Sequence, residues 1–123
     1  MVDLHVHAPQ YAFRGMCMDL ELMDWLNQYT FPEEEKYTNL DYAKKAYSIF
    51  TKALKNSATT RACIFATRHR DATVLLMELM EETGLVSYVG KVNMDREASE
   101  ALIEESAEAS AYNTFGWINS VDN

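Results

Sequence analysis

The sequence predicts an α/β protein, and more specifically about the first three βα units of a partial (β/α)8 TIM barrel. Segments with strand character alternate with segments of helical periodicity, which is the order expected of a parallel sheet with helical crossovers. Three strands cannot close a barrel, the chain enters its first strand almost at once, and no strand follows the last helix. Both ends therefore look cut, and we expect residues 1–123 to be a single fragment of a larger barrel domain.

The first unit begins with a short strand and continues into a helical stretch. Residues 2–8 read as a strand, and residues 20–29 carry apolar side chains at helical spacing. Phe31 and Pro32 interrupt that spacing, since proline is unfavourable inside a helix. The acidic run at residues 33–35 then predicts a solvated turn.

The second unit combines a long helix with the most apolar strand of the chain. Thr38, with Asp41 three residues later, resembles a capping box, and an apolar face repeats at helical spacing from there to about Asn56. Residues 59–67 form a dense run of β-branched and other apolar side chains. Such a run is typical of a parallel strand buried on both faces.

The remaining segments repeat the same order. Residues 72–83 carry inward-facing leucines at helical spacing, and Gly84 follows as the expected helix stop. Residues 85–94 predict the third strand. The alanine-rich residues 97–112 predict a third, weaker helix.

Composition limits the classes of function. Eleven basic against nineteen acidic side chains give a formal charge of -8, which argues against non-specific binding to nucleic acid or to an anionic membrane. No apolar run reaches the roughly 20 residues of a membrane span, and the first residues lack the order of a signal peptide. We therefore expect a cytoplasmic protein in which Cys17 and Cys63 are both reduced.

Two histidines, His5 and His7, lie one residue apart in the first predicted strand. Because side chains alternate along a strand, both imidazoles face one side, where they can reach a single metal ion, while Leu4 and Val6 face the other side. For a bare His-x-His taken alone, two polar residues on the wet face of an edge strand are the favoured interpretation. The position of the pair in the fold therefore has to decide between these interpretations.

In a (β/α) barrel the chemistry lies at the rim formed by the carboxyl ends of the strands. The histidine pair ends the first strand, His69 follows the second and Asp95 follows the third, so all would belong to this rim. This placement favours a metal site at the histidine pair. His69 and Asp71 form either a pair that supports the site or, as we favour, part of a hydrogen bond that orders the loop.

Four stretches of the sequence resemble one known family. "HVHAPQY" resembles the metal-binding start of the amidohydrolase superfamily, and "MDLELMDWLNQYTFPEE", "TTRACIFATRHRD" and "YVGKVNMD" resemble the guanine deaminases of that superfamily. The match runs over about the first 95 residues. The WLNxYTFPxE and FATxHxD stretches are the specific ones, because a histidine pair alone indicates only the superfamily.

The resemblance implies a zinc-dependent hydrolysis of guanine to xanthine and ammonia. It assigns His5 and His7 as the first two zinc ligands and Gln10 as a residue that hydrogen-bonds the guanine ring. The remaining ligands and the proton shuttle would lie beyond residue 123, so we expect no catalytic residue in this chain and no activity from the chain alone. The full-length protein is expected to be a homodimer that binds neither nucleic acid nor membranes.

Two other interpretations stay open. One is a part of another hydrolase of the same superfamily, acting on a pyrimidine or a cyclic amide, although Gln10 and the WLNxYTFPxE stretch argue for guanine. The other is a truncated, non-enzymatic gene product, which the abrupt ends favour. The zinc deaminases with His-x-Glu and Pro-Cys-x-x-Cys motifs are excluded, because the sequence contains neither motif.

Overall fold

Three parallel β-strands form one sheet in the order β1-β2-β3. A computed structural model describes residues 1–121, and the strands are β1 (Val2–His7), β2 (Arg61–Phe65) and β3 (Val86–Gly90). Each strand lies within the segment that the sequence predicts, so the α/β fold with parallel strands is confirmed. Among the described residues the sheet does not close into a barrel, because β1 and β3 each pair with β2 alone.

β1 contains a β-bulge that its sequence does not reveal. Asp3 pairs with Ala62 and Val6 pairs with Ile64, so three steps along β1 correspond to two steps along β2. The extra residue disturbs the alternation of side chains at this point. Leu4 is consequently 77% exposed, whereas Val6 packs against the core. The prediction that these two side chains share one face is therefore wrong for Leu4.

Two long helices, α3 (Leu40–Lys55) and α4 (Arg70–Glu81), cover one face of the sheet. Alternate side chains along β2, and that of the residue after it, point into the core that the helices form with the sheet. The buried residues of this core include Ala62, Ile64, Ala66, Tyr47, Phe50, Leu76 and Met80. Removing these apolar side chains from water is the main favourable term for this part of the fold.

The ends of the two helices differ slightly from the predicted ones. The side chain of Asn39 caps α3 by accepting hydrogen bonds from the backbone N–H groups of Asp41 and Tyr42, at 2.9 and 3.1 Å. The predicted capping box at Thr38 is therefore one residue too early, since asparagine caps a helix as well as threonine does. Gly84 adopts φ of +75° just after α4, as expected of a glycine that stops a helix.

The segment between β1 and α3 is mostly helical. It consists of a 3-10 turn (Pro9–Phe13), α1 (Leu22–Trp25), a π-helical turn (Leu26–Thr30), α2 (Phe31–Glu35) and a second 3-10 turn (Lys36–Thr38). The prediction that Phe31 and Pro32 interrupt the helix is wrong. The N–H of Phe31 still bonds the carbonyl of Leu26, and Pro32 lies in the first turn of α2, where its missing N–H is not needed.

The acidic run at residues 33–35 is largely buried. Glu33 is 7% exposed and Glu34 is 3% exposed, so the prediction of a solvated turn is wrong. The Glu33 carboxylate accepts a hydrogen bond from Lys36 Nζ at 2.6 Å and another from the hydroxyl of Tyr42. These local partners satisfy the charge of Glu33 and allow it to be buried.

The last helix, α5 (Ala107–Val121), begins later than the predicted helix over residues 97–112. Glu97 adopts φ of +55°, in the left-handed region, and a right-handed helix cannot pass through such a residue. Alanine content alone therefore gave the wrong start for this helix.

A buried ion pair holds the segment between β3 and α5. Lys91 Nζ lies 3.1 Å from Glu104 Oε1, and the two side chains are only 1% and 2% exposed. The Glu104 carboxylate also accepts hydrogen bonds from the N–H of Met94 and the hydroxyl of Ser110, while Lys91 also donates to Asn93. Every charge in this cluster thus has several partners.

The second face of the sheet is left open by the described residues. Cys63 and Phe65 of β2 are half-buried on this face, and Tyr88 of β3 is 72% exposed. The sheet therefore has one closed face and one open face. Within residues 1–121 no helix has the length and apolar character needed to cross a membrane.

Candidate metal and substrate site

His5 and His7 lie side by side at the carboxyl end of β1. Their Nε2 atoms are 3.1 Å apart, and their ring centroids are 5.0 Å apart. The ring of Phe65, at the end of β2, lies 4.6 Å from the ring of His5 and stacks on that of His7 at 4.9 Å. The two ring nitrogens thus converge on one side of the strand, as the spacing of the histidines predicts.

The separation of the two nitrogens fits a pair of zinc ligands. Zinc–nitrogen bonds of about 2.0–2.1 Å in a tetrahedral site place two ligand nitrogens roughly 3.3–3.4 Å apart, which is close to the observed distance. Catalytic zinc usually has three protein ligands. Within residues 1–121 no third histidine, cysteine, aspartate or glutamate joins this pair. The pair therefore suits part of a zinc site.

The protonation of His7 also suits metal binding. Burial, and secondarily the neighbouring His5, lower the pKa of His7 below its ordinary value. A neutral imidazole offers a lone pair, whereas the protonated ring has none to give. The local environment thus favours the form of His7 that binds a metal.

Gln10 lies in the Pro9–Phe13 turn, close behind the histidine pair. The N–H of Ala8 donates to the carbonyl of Phe65 at 3.0 Å, so the sheet continues one residue beyond β1 and leads directly into the turn. The side chain of Gln10 is half-buried and makes no hydrogen bond within residues 1–121. Both its amide donor and its carbonyl acceptor are consequently available to a ligand.

The other rim residues predicted from the sequence have different surroundings. His69 Nε2 lies 3.3 Å from the Thr38 hydroxyl, which is the loop-ordering hydrogen bond that we favoured over a pair with Asp71. Asp71 is exposed in the first turn of α4. Asp95 pairs with the adjacent Arg96 at 3.2 Å. These residues do not extend the histidine pair into a larger metal-binding group within the described part of the chain.

Two residues near the site were missed in the sequence. Phe65 was detectable, because alternation along β2 places it on the face opposite Ile64. Tyr37 was not, since its role depends on tertiary packing: it is 1% exposed, and its hydroxyl donates to the carbonyl of Pro9 at 3.4 Å. No local pattern relates positions so far apart in the sequence.

The sequence and the fold of the chain match one family. The sequence profile described as "Amidohydrolase family" matches residues 1–117, and the chain belongs to the amidohydrolase family. The solved structure of guanine deaminase from C. acetobutylicum with bound guanine is 47% identical, with a TM-score of 0.91 over 96% of this chain and 28% of that one.

Curated relatives extend the same result. Guanine deaminase of Rattus norvegicus is 41% identical over 122 residues, which are 98% of this chain and 27% of that protein. The 5-methylthioadenosine/S-adenosylhomocysteine deaminase of Thermococcus onnurineus is 35% identical over 109 residues, 85% of this chain and 24% of that protein. The resemblance to guanine deaminases is confirmed, and the chain spans about a quarter of the length of these relatives.

Proposed function

We propose that this chain forms part of a zinc-dependent guanine deaminase and contributes the first three βα units of its barrel. The observation that carries the proposal is the convergence of His5 Nε2 and His7 Nε2, 3.1 Å apart, at the strand ends. The likeness to a guanine deaminase that holds guanine gives this pair its context. In this proposal residues 1–123 all belong to the same barrel domain.

In this proposal each site residue has a distinct task. His5 and His7 hold the metal through Nε2, and Gln10 binds an edge of the purine with its amide. When bound, zinc supplies activated water by lowering the pKa of that water towards about 7. Burial of His7 keeps its imidazole neutral for this purpose. The closed face of the sheet keeps β1 fixed while its open face presents the ligands.

We expect the 123-residue chain alone to be inactive on guanine. Two protein ligands do not make the usual catalytic zinc site, and the described residues offer no third. The purified chain should therefore produce no more xanthine from guanine than its His5→Ala variant does. Turnover clearly above that control would contradict the expected inactivity.

The proposed activity can be tested in a hybrid barrel. Residues 1–121 of this chain replace the matching 28% of the C. acetobutylicum guanine deaminase. The hybrid should bind one zinc per subunit and deaminate guanine in preference to adenine and cytosine. The intact C. acetobutylicum enzyme is the control for assembly of the rest of the barrel. A folded hybrid that holds zinc but leaves guanine unchanged would refute the proposed substrate.

Variants of the hybrid separate the metal site from the substrate site. His5→Ala and His7→Ala should remove zinc and turnover together, whereas His69→Ala, the change in the remaining histidine, should retain zinc. Gln10→Ala should keep zinc and lower kcat/KM for guanine by about 5- to 150-fold, the cost of leaving a buried polar partner unpaired. Gln28→Ala, in an exposed glutamine, is the matched control. Wild-type kcat/KM in Gln10→Ala would remove that residue from the substrate site.

A second candidate is a deaminase for another purine. The 35% identity to the T. onnurineus deaminase of 5-methylthioadenosine and S-adenosylhomocysteine favours it. The same hybrid assay decides between the two, since preference for those adenine nucleosides over guanine would select the second candidate. A cytoplasmic location, a homodimeric full-length protein and the absence of nucleic-acid or membrane binding stay predictions.

A further inference from the structure

We propose that Tyr37 is a positioning residue, whose hydroxyl fixes the Pro9–Phe13 turn and thereby the amide of Gln10. The inference rests on the proposed function, because it gives Gln10 the task of binding the purine. Tyr37 donates to the carbonyl of Pro9, the residue directly before Gln10, at 3.4 Å and across 28 positions of sequence. The side chain of the adjacent Arg14 also donates to the turn, at the Tyr11 carbonyl and 2.9 Å, so among the described residues Tyr37 makes the one side-chain hydrogen bond that reaches the turn from a distant part of the sequence.

Tyr37 is itself held in place from several sides. Its ring lies 4.8 Å from the ring of Tyr47 and meets the ring of Tyr42 edge-on at 5.5 Å. The Tyr42 hydroxyl donates to Glu33, which is also paired with Lys36 at 2.6 Å. Glu33 and Lys36 of the FPEEEK stretch thus hold Tyr42 in place, and the ring of Tyr42 packs against that of Tyr37. This gives a physical role to a stretch that the metal site and Gln10 do not use directly.

The hydroxyl of Tyr37 remains a donor at any working pH. Burial, followed by the charge of Glu33, raises the pKa of Tyr37 far above its ordinary value. The phenol therefore does not ionise, and its proton stays available to the Pro9 carbonyl. A fixed donor in a buried, aromatic setting limits the movement of the turn. Gln10 can then meet a ligand without first losing conformational freedom, which favours binding.

A matched pair of variants tests the inference on the 123-residue chain. Tyr37→Phe keeps the ring and removes the hydroxyl. Tyr47→Phe makes the same change in the neighbouring buried tyrosine, whose hydroxyl faces Thr67 and makes no hydrogen bond to the turn. Tyr37→Phe should speed hydrogen exchange of the Tyr11 amide, which bonds the Ala8 carbonyl at 3.2 Å, by roughly 2- to 12-fold. Tyr47→Phe should leave it unchanged, and equal effects of the two variants would overturn the inference.

Kinetics of the hybrid barrel test the connection to the substrate. Tyr37→Phe should raise KM for guanine by roughly 2- to 12-fold with little change in kcat and none in zinc content. In a Gln10→Ala background the same change should have no further effect on KM. An effect of Tyr37→Phe that persists without Gln10 would overturn the role of Tyr37 as a positioning residue for that amide.

The two proposals fail in different ways. If the unsubstituted hybrid folds and holds zinc but does not turn over guanine, the proposed substrate is refuted, and hydrogen exchange at the turn alone decides whether Tyr37 fixes it. If the hybrid is active but neither exchange nor KM responds to Tyr37→Phe, the proposed function stands and the role of Tyr37 is refuted.

Discussion

Two segments follow the carboxyl ends of strands, and each contains a buried glutamate. The first rim segment, residues 8–39, follows β1 and contains Gln10 and Glu34. The second rim segment, residues 91–106, follows β3 and contains Glu104. Glu34 and Glu104 are almost equally buried, at 3% and 4% exposure. The two glutamates thus have similar exposure to solvent but different partners.

The two carboxyl groups respond to burial in opposite ways. Burial raises the pKa of Glu34 to about 7, and its Oε2 has no hydrogen-bond partner among the described residues. Burial also acts to raise the pKa of Glu104, but hydrogen bonds from Ser110 and Met94 and the charge of Lys91 lower it overall. Partners rather than exposure therefore decide the charge of a buried carboxyl group.

The difference bears on the proposed function. In the second rim segment the charge of Glu104 is balanced by that of Lys91, and Glu104 stays ionised near neutral pH because its pKa is lowered. The first rim segment contains an acid that changes its protonation near neutrality, and the same segment contains the proposed substrate residue Gln10. The part of the rim that is expected to meet the substrate is therefore the more sensitive to pH.

The largest expected effect comes from breaking the ion pair of the second rim segment. Lys91→Met should lower the free energy of unfolding by about 3–5 kcal/mol, because it leaves the charge of Glu104 buried without its counter-ion. Urea unfolding followed by circular dichroism measures the loss. Lys44→Met, in an exposed lysine without an ion pair among the described residues, should change stability by no more than about 0.5 kcal/mol. Similar small losses of unfolding free energy in both variants would show that the ion pair does not stabilise the fold.

The next effect is a change in the pH dependence of stability. A rise in the pKa of Glu34 from 4.5 to about 7 means that folding favours its protonated form. Its contribution is fully present below about pH 4.5 and is lost as the pH rises through about 7. At about 1.4 kcal/mol per pKa unit, the loss is about 3 kcal/mol. Glu34→Gln should remove this loss, because the amide does not ionise.

The measurement compares unfolding free energies at pH 4 and pH 8. Glu34→Gln should gain stability relative to the wild type between these values, by up to about 3 kcal/mol. Glu105→Gln, in an exposed glutamate, should show no such gain. A difference between Glu34→Gln and the wild type that is the same at both pH values would mean that folding does not shift the pKa of Glu34.

Much of the fold was predictable because local patterns specify it. The three strands, α3 and α4 have periodicities that extend over many residues, and tertiary packing agrees with them. The predicted start of α5 was wrong because the backbone conformation of a single residue, Glu97, overrides a weak alanine signal. The bulge in β1 was not predicted, because one extra residue is not detectable in a six-residue pattern.

The candidate site was predictable only in part. The spacing of His5 and His7 indicates their convergence directly, since it depends on one strand. The burial of Glu33 and Glu34 was missed, because an acidic run normally lies in water, whereas here Lys36 and Tyr42 compensate Glu33 and burial favours the protonated form of Glu34. Lys36 reaches Glu33 through the helical turns of the first rim segment, which the proline was predicted to interrupt, and Tyr42 reaches it from the first turn of α3.

The smallest expected effect concerns the contact between the two rim segments. Ser99 of the second segment donates a hydrogen bond of 2.6 Å to Glu35 of the first, 64 positions away. Because both residues are only half-buried, Ser99→Ala should cost about 0.5–1.5 kcal/mol of unfolding free energy. A double-mutant cycle with Glu35→Ala should give a coupling energy of at least about 0.5 kcal/mol. If the two changes are additive instead, the segments are energetically independent. The pH sensitivity of Glu34 would then remain confined to the segment that contains Gln10.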